Sequence, residues 1–120
     1  MLQTLSRIGF VIGVITVIAL SVIPAGAAPD LEISDKLAHM AAYAALAFAG
    51  GIAYRGSRTT LVLVAGLLLL GAGLELVQAF VPGRSASGYD ALANTIGIVL
   101  GSAIAITANM IIQRRLRILE

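Results

Sequence analysis

Four long apolar runs dominate the chain, and each is bounded by polar or turn-forming residues. They cover about residues 4–23, 35–54, 59–81 and 89–112. A helix needs about 20 apolar residues to cross the hydrocarbon core of a bilayer. Pro24 follows the first run and Pro82-Gly83 follows the third, and both are helix-ending signals. The pattern therefore predicts an all-α protein, a bundle of four transmembrane helices.

Composition supports a membrane protein and narrows its chemistry. Of the 120 residues, 59% are hydrophobic and 12% are charged, whereas soluble domains carry about 25% charged residues. Such a chain cannot cover a surface that faces water. It has no cysteine, which excludes disulfides, thiol nucleophiles and thiolate metal sites. Four spans leave only short loops, so we expect a single domain over residues 1–120.

The first run has two interpretations. Arg7, the apolar residues 8–23 and the following Ala25-Gly26-Ala27 imitate a secretory signal. The apolar stretch, however, is slightly longer than the usual signal core of about 7–15 residues. We therefore favour a retained first span, with cleavage as the alternative. Either interpretation places the N-terminus in the cytoplasm.

Basic residues are distributed unevenly between the two ends of the predicted bundle. Only Lys36 and Arg84 fall at one end. The positive-inside rule assigns the more basic end to the cytoplasm, so both termini are expected there. The basic residues at that end are Arg7, Arg55, Arg58, Arg114, Arg115 and Arg117.

The second run begins with a polar stripe. Ser34 is a suitable N-cap, and Asp35 in the first turn suits the helix dipole. Asp35, His39 and Tyr43 follow at intervals of four residues, which places them on one helix face. Lys36 stands beside them, and its simplest role is an interfacial pair.

The third run carries Glu75 and Gln78 on one face near its end. Glu75 would lie about 10 Å below the outer end of the helix. An ionised carboxylate at such a depth costs at least about 2.5–3.5 kcal/mol, so Glu75 must be paired with a cation, protonated or hydrated. His39 is the first candidate because of its depth, and Arg84 is the second because of its charge and reach.

The fourth run starts with a capping pattern and continues as a small-residue stripe. Ser87 and Asp90 have the spacing of a capping box. Asp90, Asn94, Gly97 and Gly101 share one face, and the last two form a GxxxG motif. Such a surface allows close approach of a neighbouring helix. We interpret it as the packing face of this span.

Helix rise places the imidazole, the carboxylate and the amide of His39, Glu75 and Asn94 at similar depth. We therefore expect a small pocket that opens outward, with the cytoplasmic half of the bundle free of polar groups. The mouth of this pocket would be formed by Asp35, Lys36, Arg84 and Asp90. The full set of candidate binding residues is Asp35, Lys36, His39, Tyr43, Glu75, Gln78, Arg84, Asp90 and Asn94.

The order and spacing of these residues resemble those of the VanZ-like membrane proteins, from residue 35 to about residue 101. The resemblance implies a small multi-span protein of the bacterial inner (plasma) membrane. The family's namesake is associated with reduced susceptibility to teicoplanin, a lipoglycopeptide antibiotic. The motifs that carry the resemblance are Asp35-Lys36-x-x-His39-x-x-x-Tyr43, Glu75-x-x-Gln78, Pro82-Gly83-Arg84 and Asp90-x-x-x-Asn94-x-x-Gly97.

Three functional hypotheses follow. In the first, a non-enzymatic protein binds an envelope amphiphile, such as a lipid-linked or lipoglycopeptide ligand, in the outward pocket. In the second, His39 and Glu75 act as acid and base in an intramembrane enzyme, and Arg84 binds an anionic headgroup. In the third, the polar residues only lock the helices together. We favour the first and lean against an enzyme.

Other chemistries are less well supported. A metal site from Asp35, His39, Glu75 and Asp90 lacks a tight ligand motif such as HExxH, so we expect no metal or cofactor. A hydrolase built from Ser85, His39 and Asp90 lacks a nucleophile elbow. The short basic tail does not support nucleic-acid binding. Membrane lipids are expected partners, and the oligomeric state is left open.

Overall fold

The computed structural model describes residues 1–28 and 34–118. Within these residues the chain forms four α-helices and a short 3₁₀ turn at Ala25–Ala27, with no strand. Each α-helix is long and apolar enough to cross a membrane, and the predicted all-α bundle of four spans is confirmed. The helices are α1 (Leu2–Val22), α2 (Asp35–Ala53), α3 (Ser57–Gln78) and α4 (Gly88–Ile118).

Two helix ends differ from the sequence-based boundaries. The third helix ends at Gln78 instead of Val81, and the next three residues form tighter hydrogen bonds to carbonyls three residues earlier. Pro82 explains this, because it disfavours α-helical backbone at the residue before it. The fourth helix continues to Ile118, six residues beyond the predicted end at 112. No breaker follows Ile112, and arginines suit the negative end of the helix dipole.

Consecutive helices run antiparallel, and α2 is the central element. In the first half of α1, Arg7 lies over the Tyr54 ring and Phe10 packs edge-on against it, with ring centroids 5.9 Å apart. Tyr54 follows the end of α2, so α1 runs opposite to α2. The most extensive interface joins α2 to α4. These two helices run parallel, because Lys36 meets Asp90 at one end and Gly51 meets Ala105 at the other.

Glycines allow the backbones of α2 and α4 to touch. A Cβ atom on Gly97 would overlap the carbonyl oxygen of Met40, and one on Gly101 would overlap that of Ala44. No larger residue fits at either position without separating the helices. Close backbone contact of this kind stabilises helix pairs in lipid through van der Waals packing.

The outer faces of the bundle are strongly apolar. No residue of α1 is buried, and Leu69 and Phe80 are 74% and 88% exposed. Surfaces of this kind are unfavourable in water and favourable against acyl chains. The fold is therefore that of a multi-pass membrane protein.

The expectation of a half-bundle without polar groups at the terminal end is wrong. Asn109 donates from Nδ2 to the carbonyl oxygen of Gly51 at 2.9 Å. That carbonyl lies in the last turn of α2 and lacks an intrahelical donor, so the amide completes the helix end. Arg55 Nε, Ser102 Oγ and Asn109 Oδ1 are also buried there, without a hydrogen-bond partner among the described residues.

Candidate functional site

A cavity of about 730 Å³ lies at the end of the bundle where α1 and α3 end and α2 and α4 begin. All of the candidate binding residues except Lys36 line it. The chain's described ends lie at the opposite end of the bundle. The candidate residues that line the cavity are Asp35, His39, Tyr43, Glu75, Gln78, Arg84, Asp90 and Asn94.

Side chains of the second helix line the cavity and become more buried with depth. Asp35 is exposed at its start, His39 is half-buried one turn deeper, and Tyr43 is buried a further turn down. The hydroxyl of Tyr43 has no hydrogen-bond partner among the described residues, although only 2% of the residue is exposed. A buried polar group without a partner is uncommon and invites an explanation.

His39 joins α2 to α4 and also lies near α3. Its Nδ1 is 2.9 Å from Asn94 Oδ1, a hydrogen-bonding distance. The same nitrogen is 3.8 Å from Glu75 Oε1, too far for a hydrogen bond but close enough for an electrostatic interaction. Asn94 and Glu75 are both buried, with 3% and 6% of their surfaces exposed. Three helices therefore bring an imidazole, an amide and a carboxylate to one level.

Glu75 performs the role that the sequence assigned to Asp90. In a capping box, the third residue of the helix binds the backbone N–H of the N-cap residue. Here Ser87 occupies the N-cap position of α4, and its N–H donates to Glu75 Oε2 at 3.1 Å. The predicted Ser87–Asp90 capping box is therefore wrong. Glu75 is correctly placed for this bond because α3 returns antiparallel to α4.

Asp90 pairs instead with Lys36 at the mouth of the cavity. The Nζ of Lys36 lies 3.6 Å from Asp90 Oδ1, and the two side chains are 58% and 15% exposed. The same Oδ1 atom is buried and has no hydrogen-bond partner among the described residues. The mostly buried carboxylate of Asp90 is therefore paired with a cation that is mostly exposed.

Arg84 does not bind Glu75, which corrects the second of the two predicted partnerships. Its Nε donates to the carbonyl oxygen of Ile23 and its Nη2 donates to that of Leu20, both at 2.9 Å. The last carbonyls of α1 have no intrahelical donor, and a guanidinium offers several donors in a fixed geometry. Arg84 therefore supplies hydrogen-bond donors to free carbonyls at the end of α1.

The contribution of α1 to the cavity was missed by the sequence analysis. Val17, Leu20 and Ser21 line the wall beside α2 and α3. The loop after α1 also meets the loop after α3, where Ala25 N–H donates to Pro82 O at 3.3 Å. Ser21 was the only polar signal near the end of this run, and a lone serine does not identify the helix it faces.

Gln78 lies one turn beyond Glu75 on α3, and it is buried against the cavity with 4% of its surface exposed.

Two carboxylates and an imidazole form a cluster at the cavity. One ligand atom each from His39, Glu75 and Asp90 lies within 4.8 Å of the others. This grouping could hold a cation, whereas Asp35 stands outside it.

Comparison with known proteins identifies the family to which the chain is similar. A family model described as VanZ/LLP1 matches residues 3–112 of the chain, which includes all of the cavity-lining residues. No curated protein matches the chain, and no solved structure matches it.

Proposed function

Because the chain belongs to the VanZ/LLP1 family, we propose that it is a multi-pass protein of the bacterial inner membrane whose cavity binds the polar headgroup of an envelope amphiphile. The observation that carries the proposal is the cavity of about 730 Å³ at one end of a bundle whose outer faces are strongly apolar. In the proposed orientation, this end of the bundle lies near the lipid headgroups, where an amphiphile anchored in the leaflet would reach the cavity.

The cavity has the properties of a small-molecule site. Its volume lies within the range of about 300–1,000 Å³ that is usual for ligand pockets. Apolar residues such as Leu20 and Leu74 line it together with polar groups such as Gln78 and Asp35. Ionisable groups inside a bilayer are costly, and their presence supports a function for the cavity.

We place the cavity on the extracytoplasmic side. The opposite end carries Arg7, Arg55, Arg58 and the arginines near the end of α4, and the positive-inside rule assigns that end to the cytoplasm. The length of α4 is compatible with basic residues that lie outside the hydrocarbon core at that end. Its 31 residues span about 46 Å at about 1.5 Å per residue, so its basic end extends beyond a hydrocarbon core of about 30 Å.

Lipoglycopeptides such as teicoplanin are one candidate class of ligand, since the VanZ-like namesake is associated with teicoplanin susceptibility. Such a molecule combines an acyl chain for the leaflet with a polar body for the cavity. Membrane lipids with polar headgroups share this architecture. The experiment below therefore tests both sources with the same variants.

The test uses two neighbouring alanines of α2. Ala42 lines the cavity, whereas Ala41 is exposed on the outer face of the same helix. Ala42→Leu fills part of the cavity without removing any polar group, and Ala41→Leu is the matched control. Wild type and both variants are reconstituted in phosphatidylglycerol nanodiscs and titrated with teicoplanin by calorimetry. Co-purifying lipids are identified by mass spectrometry.

We expect Ala42→Leu to weaken teicoplanin binding, or to lose the co-purified lipid, by about tenfold or more, because overpacking a site costs about 1–3 kcal/mol. Ala41→Leu should match wild type. Equal occupancy in the two variants would reject the cavity as the binding site. Loss of the lipid without any binding of teicoplanin would identify the amphiphile as a lipid.

One distance favours a second candidate, an intramembrane enzyme that acts on a lipid or cell-wall intermediate. His39 Nδ1 and Glu75 Oε1 are 3.8 Å apart at the cavity wall, and an imidazole and a carboxylate are common acid–base groups. Extracted envelope lipids incubated with wild type and with Glu75→Gln test this function. Turnover that the variant loses supports it, and absence of turnover by wild type rejects it.

A further inference from the structure

We propose that His39, Glu75 and Asp90 bind a divalent first-row transition-metal cation just below the mouth of the cavity. The three residues come from α2, α3 and α4, and their ligand atoms lie within 4.8 Å of one another. Neighbouring ligands about 2.1 Å from an octahedral cation stand about 3 Å apart, and opposite ligands about 4 Å apart. Small side-chain movements therefore bring the three atoms to coordination distance.

Asn94 offers a fourth ligand. Its Oδ1 is 2.9 Å from His39 Nδ1, which is the spacing of two adjacent ligands on one cation as well as that of a hydrogen bond. Coordination requires an unprotonated Nδ1, so the metal would replace the proton that the two atoms share without the cation. Because Asn94 is buried, its amide oxygen is already held in position.

The negative charges of the two carboxylates in the cluster also favour binding of a cation. Glu75 and Asp90 place two carboxylates beneath the surface, and an unpaired buried charge is strongly destabilising. The guanidinium of Arg84 is bonded to the end of α1. Lys36 pairs with Asp90, lies 6.0 Å from the centroid of the Tyr89 ring, and has a side chain that is 58% exposed. One divalent cation would balance both carboxylates from inside the cluster.

Tyr43 provides an independent observation. The residue lines the same cavity, and its hydroxyl is buried and lacks a hydrogen-bond partner among the described residues. The hydroxyl and Asn94 Nδ2 approach the same point beside Gly71, at 3.4 and 3.3 Å from the position of a Cβ atom there. A water molecule on the cation would supply the partner that the hydroxyl lacks.

The donor set indicates which metals fit. One imidazole nitrogen with carboxylate and amide oxygens suits Zn²⁺, Mn²⁺ or Fe²⁺, whereas soft metals prefer sulfur and Mg²⁺ prefers a shell of oxygens and water. We therefore choose Zn²⁺ and Mn²⁺ as probes and Mg²⁺ as the control. The proposal goes beyond amphiphile binding, because the cation is held by the protein's own side chains whether or not the cavity is filled.

The experiment measures metal affinity directly. Full-length protein in detergent is stripped with a chelator and titrated with Zn²⁺ by calorimetry, and with Mn²⁺ by the loss of its free-ion electron paramagnetic resonance signal. We expect one ion per chain, with affinity at least about tenfold weaker in His39→Gln and in Asp90→Asn. Asp35→Asn removes a carboxylate from the same cavity outside the cluster, and its metal affinity should equal that of wild type.

Lys36→Gln gives a prediction of opposite sign. Removing the ammonium that competes for Asp90 should tighten metal binding several-fold. Zn²⁺ should also raise the thermal unfolding temperature of wild type and Asp35→Asn but not of His39→Gln, because a ligand stabilises only a fold that binds it. This comparison separates loss of the site from loss of the fold.

Absence of stoichiometric binding to wild type overturns the proposal, and so does equal affinity in wild type, His39→Gln and Asp90→Asn. The two proposals are also separable. Ala42→Leu should retain the metal while losing the amphiphile, and His39→Gln should lose the metal. If Ala42→Leu binds the metal and neither it nor wild type binds an amphiphile, the metal-site proposal is supported and the proposed amphiphile binding is rejected.

Discussion

The guanidinium of Arg84 donates to the carbonyl oxygen of Leu20, across 64 residues of sequence. This bond and its companion to Ile23 tie the loop between α3 and α4 to the end of α1. The first helix thereby becomes a wall of the cavity.

Replacing this guanidinium should loosen α1. Arg84→Lys keeps the charge but cannot reach both carbonyls with a fixed pair of donors. Hydrogen bonds to charged groups contribute about 1.5–3 kcal/mol each, so we expect a loss of about 1–3 kcal/mol, measured by thermal unfolding in detergent. Arg58→Lys, at an exposed position in the first turn of α3, is the control. Equal stability of the two variants would show that the bonds to α1 contribute nothing.

Substitutions of Glu75 distinguish a structural role from a chemical one. Glu75→Gln keeps an oxygen that accepts the N–H of Ser87, so stability should stay within about 1 kcal/mol of wild type. Glu75→Leu leaves that N–H without its acceptor and should cost about 1–3 kcal/mol. Yield and unfolding temperature measure both. If Glu75→Gln fails to accumulate folded protein, the carboxylate serves mainly to hold the helices together.

The contact between α4 and α2 should be intolerant of even a methyl group. Gly101→Ala places its Cβ against the carbonyl group of Ala44, and overpacking of this kind costs about 1–3 kcal/mol. Gly73→Ala on α3, where no atom lies within 4 Å of the added Cβ, is the matched control and should be neutral or stabilising. Comparable unfolding temperatures for the two variants would contradict the backbone contact.

Orientation in the membrane can be measured because the chain contains no cysteine. Ala86→Cys lies in the exposed loop beside the cavity, and Ser57→Cys lies at the exposed start of α3, at the opposite end of the bundle. A membrane-impermeant maleimide added to intact cells should label the first variant only, and the second should react after permeabilisation. The reverse pattern would place the cavity in the cytoplasm and contradict the charge-based orientation.

The helices themselves were predictable from the chain. Apolar runs of span length, Ser34 as a cap and Pro82 as a breaker located four helices to within a few residues, except at the end of α4. Ser34 accepts from Leu37 N–H at 3.2 Å, as predicted. Helical spacing also indicated that Asp35, His39 and Tyr43 share a face, and the structure places all three along the cavity.

The partners of the polar groups were harder to predict. From sequence, Arg84 and His39 were both within reach of Glu75, and Asp90 had the spacing of a capping residue. In the structure, Arg84 donates hydrogen bonds to carbonyls at the end of α1, and Asp90 pairs with Lys36. Glu75 caps α4 by accepting from the Ser87 N–H. Each choice depends on the rotation and tilt of neighbouring helices, which hydrophobic patterns leave open when all outer faces contact lipid.

The sequence by itself determined the number and apolar character of the helices and most of their bounds, because in a bilayer each span must satisfy its own backbone hydrogen bonds and bury a continuous apolar length. The tertiary structure alone decided which donor meets which acceptor, and that His39, Glu75 and Asp90 converge on one small volume. Such pairings depend on distances of a few ångströms between helices, which only the packing of small residues such as Gly97 against α2 establishes.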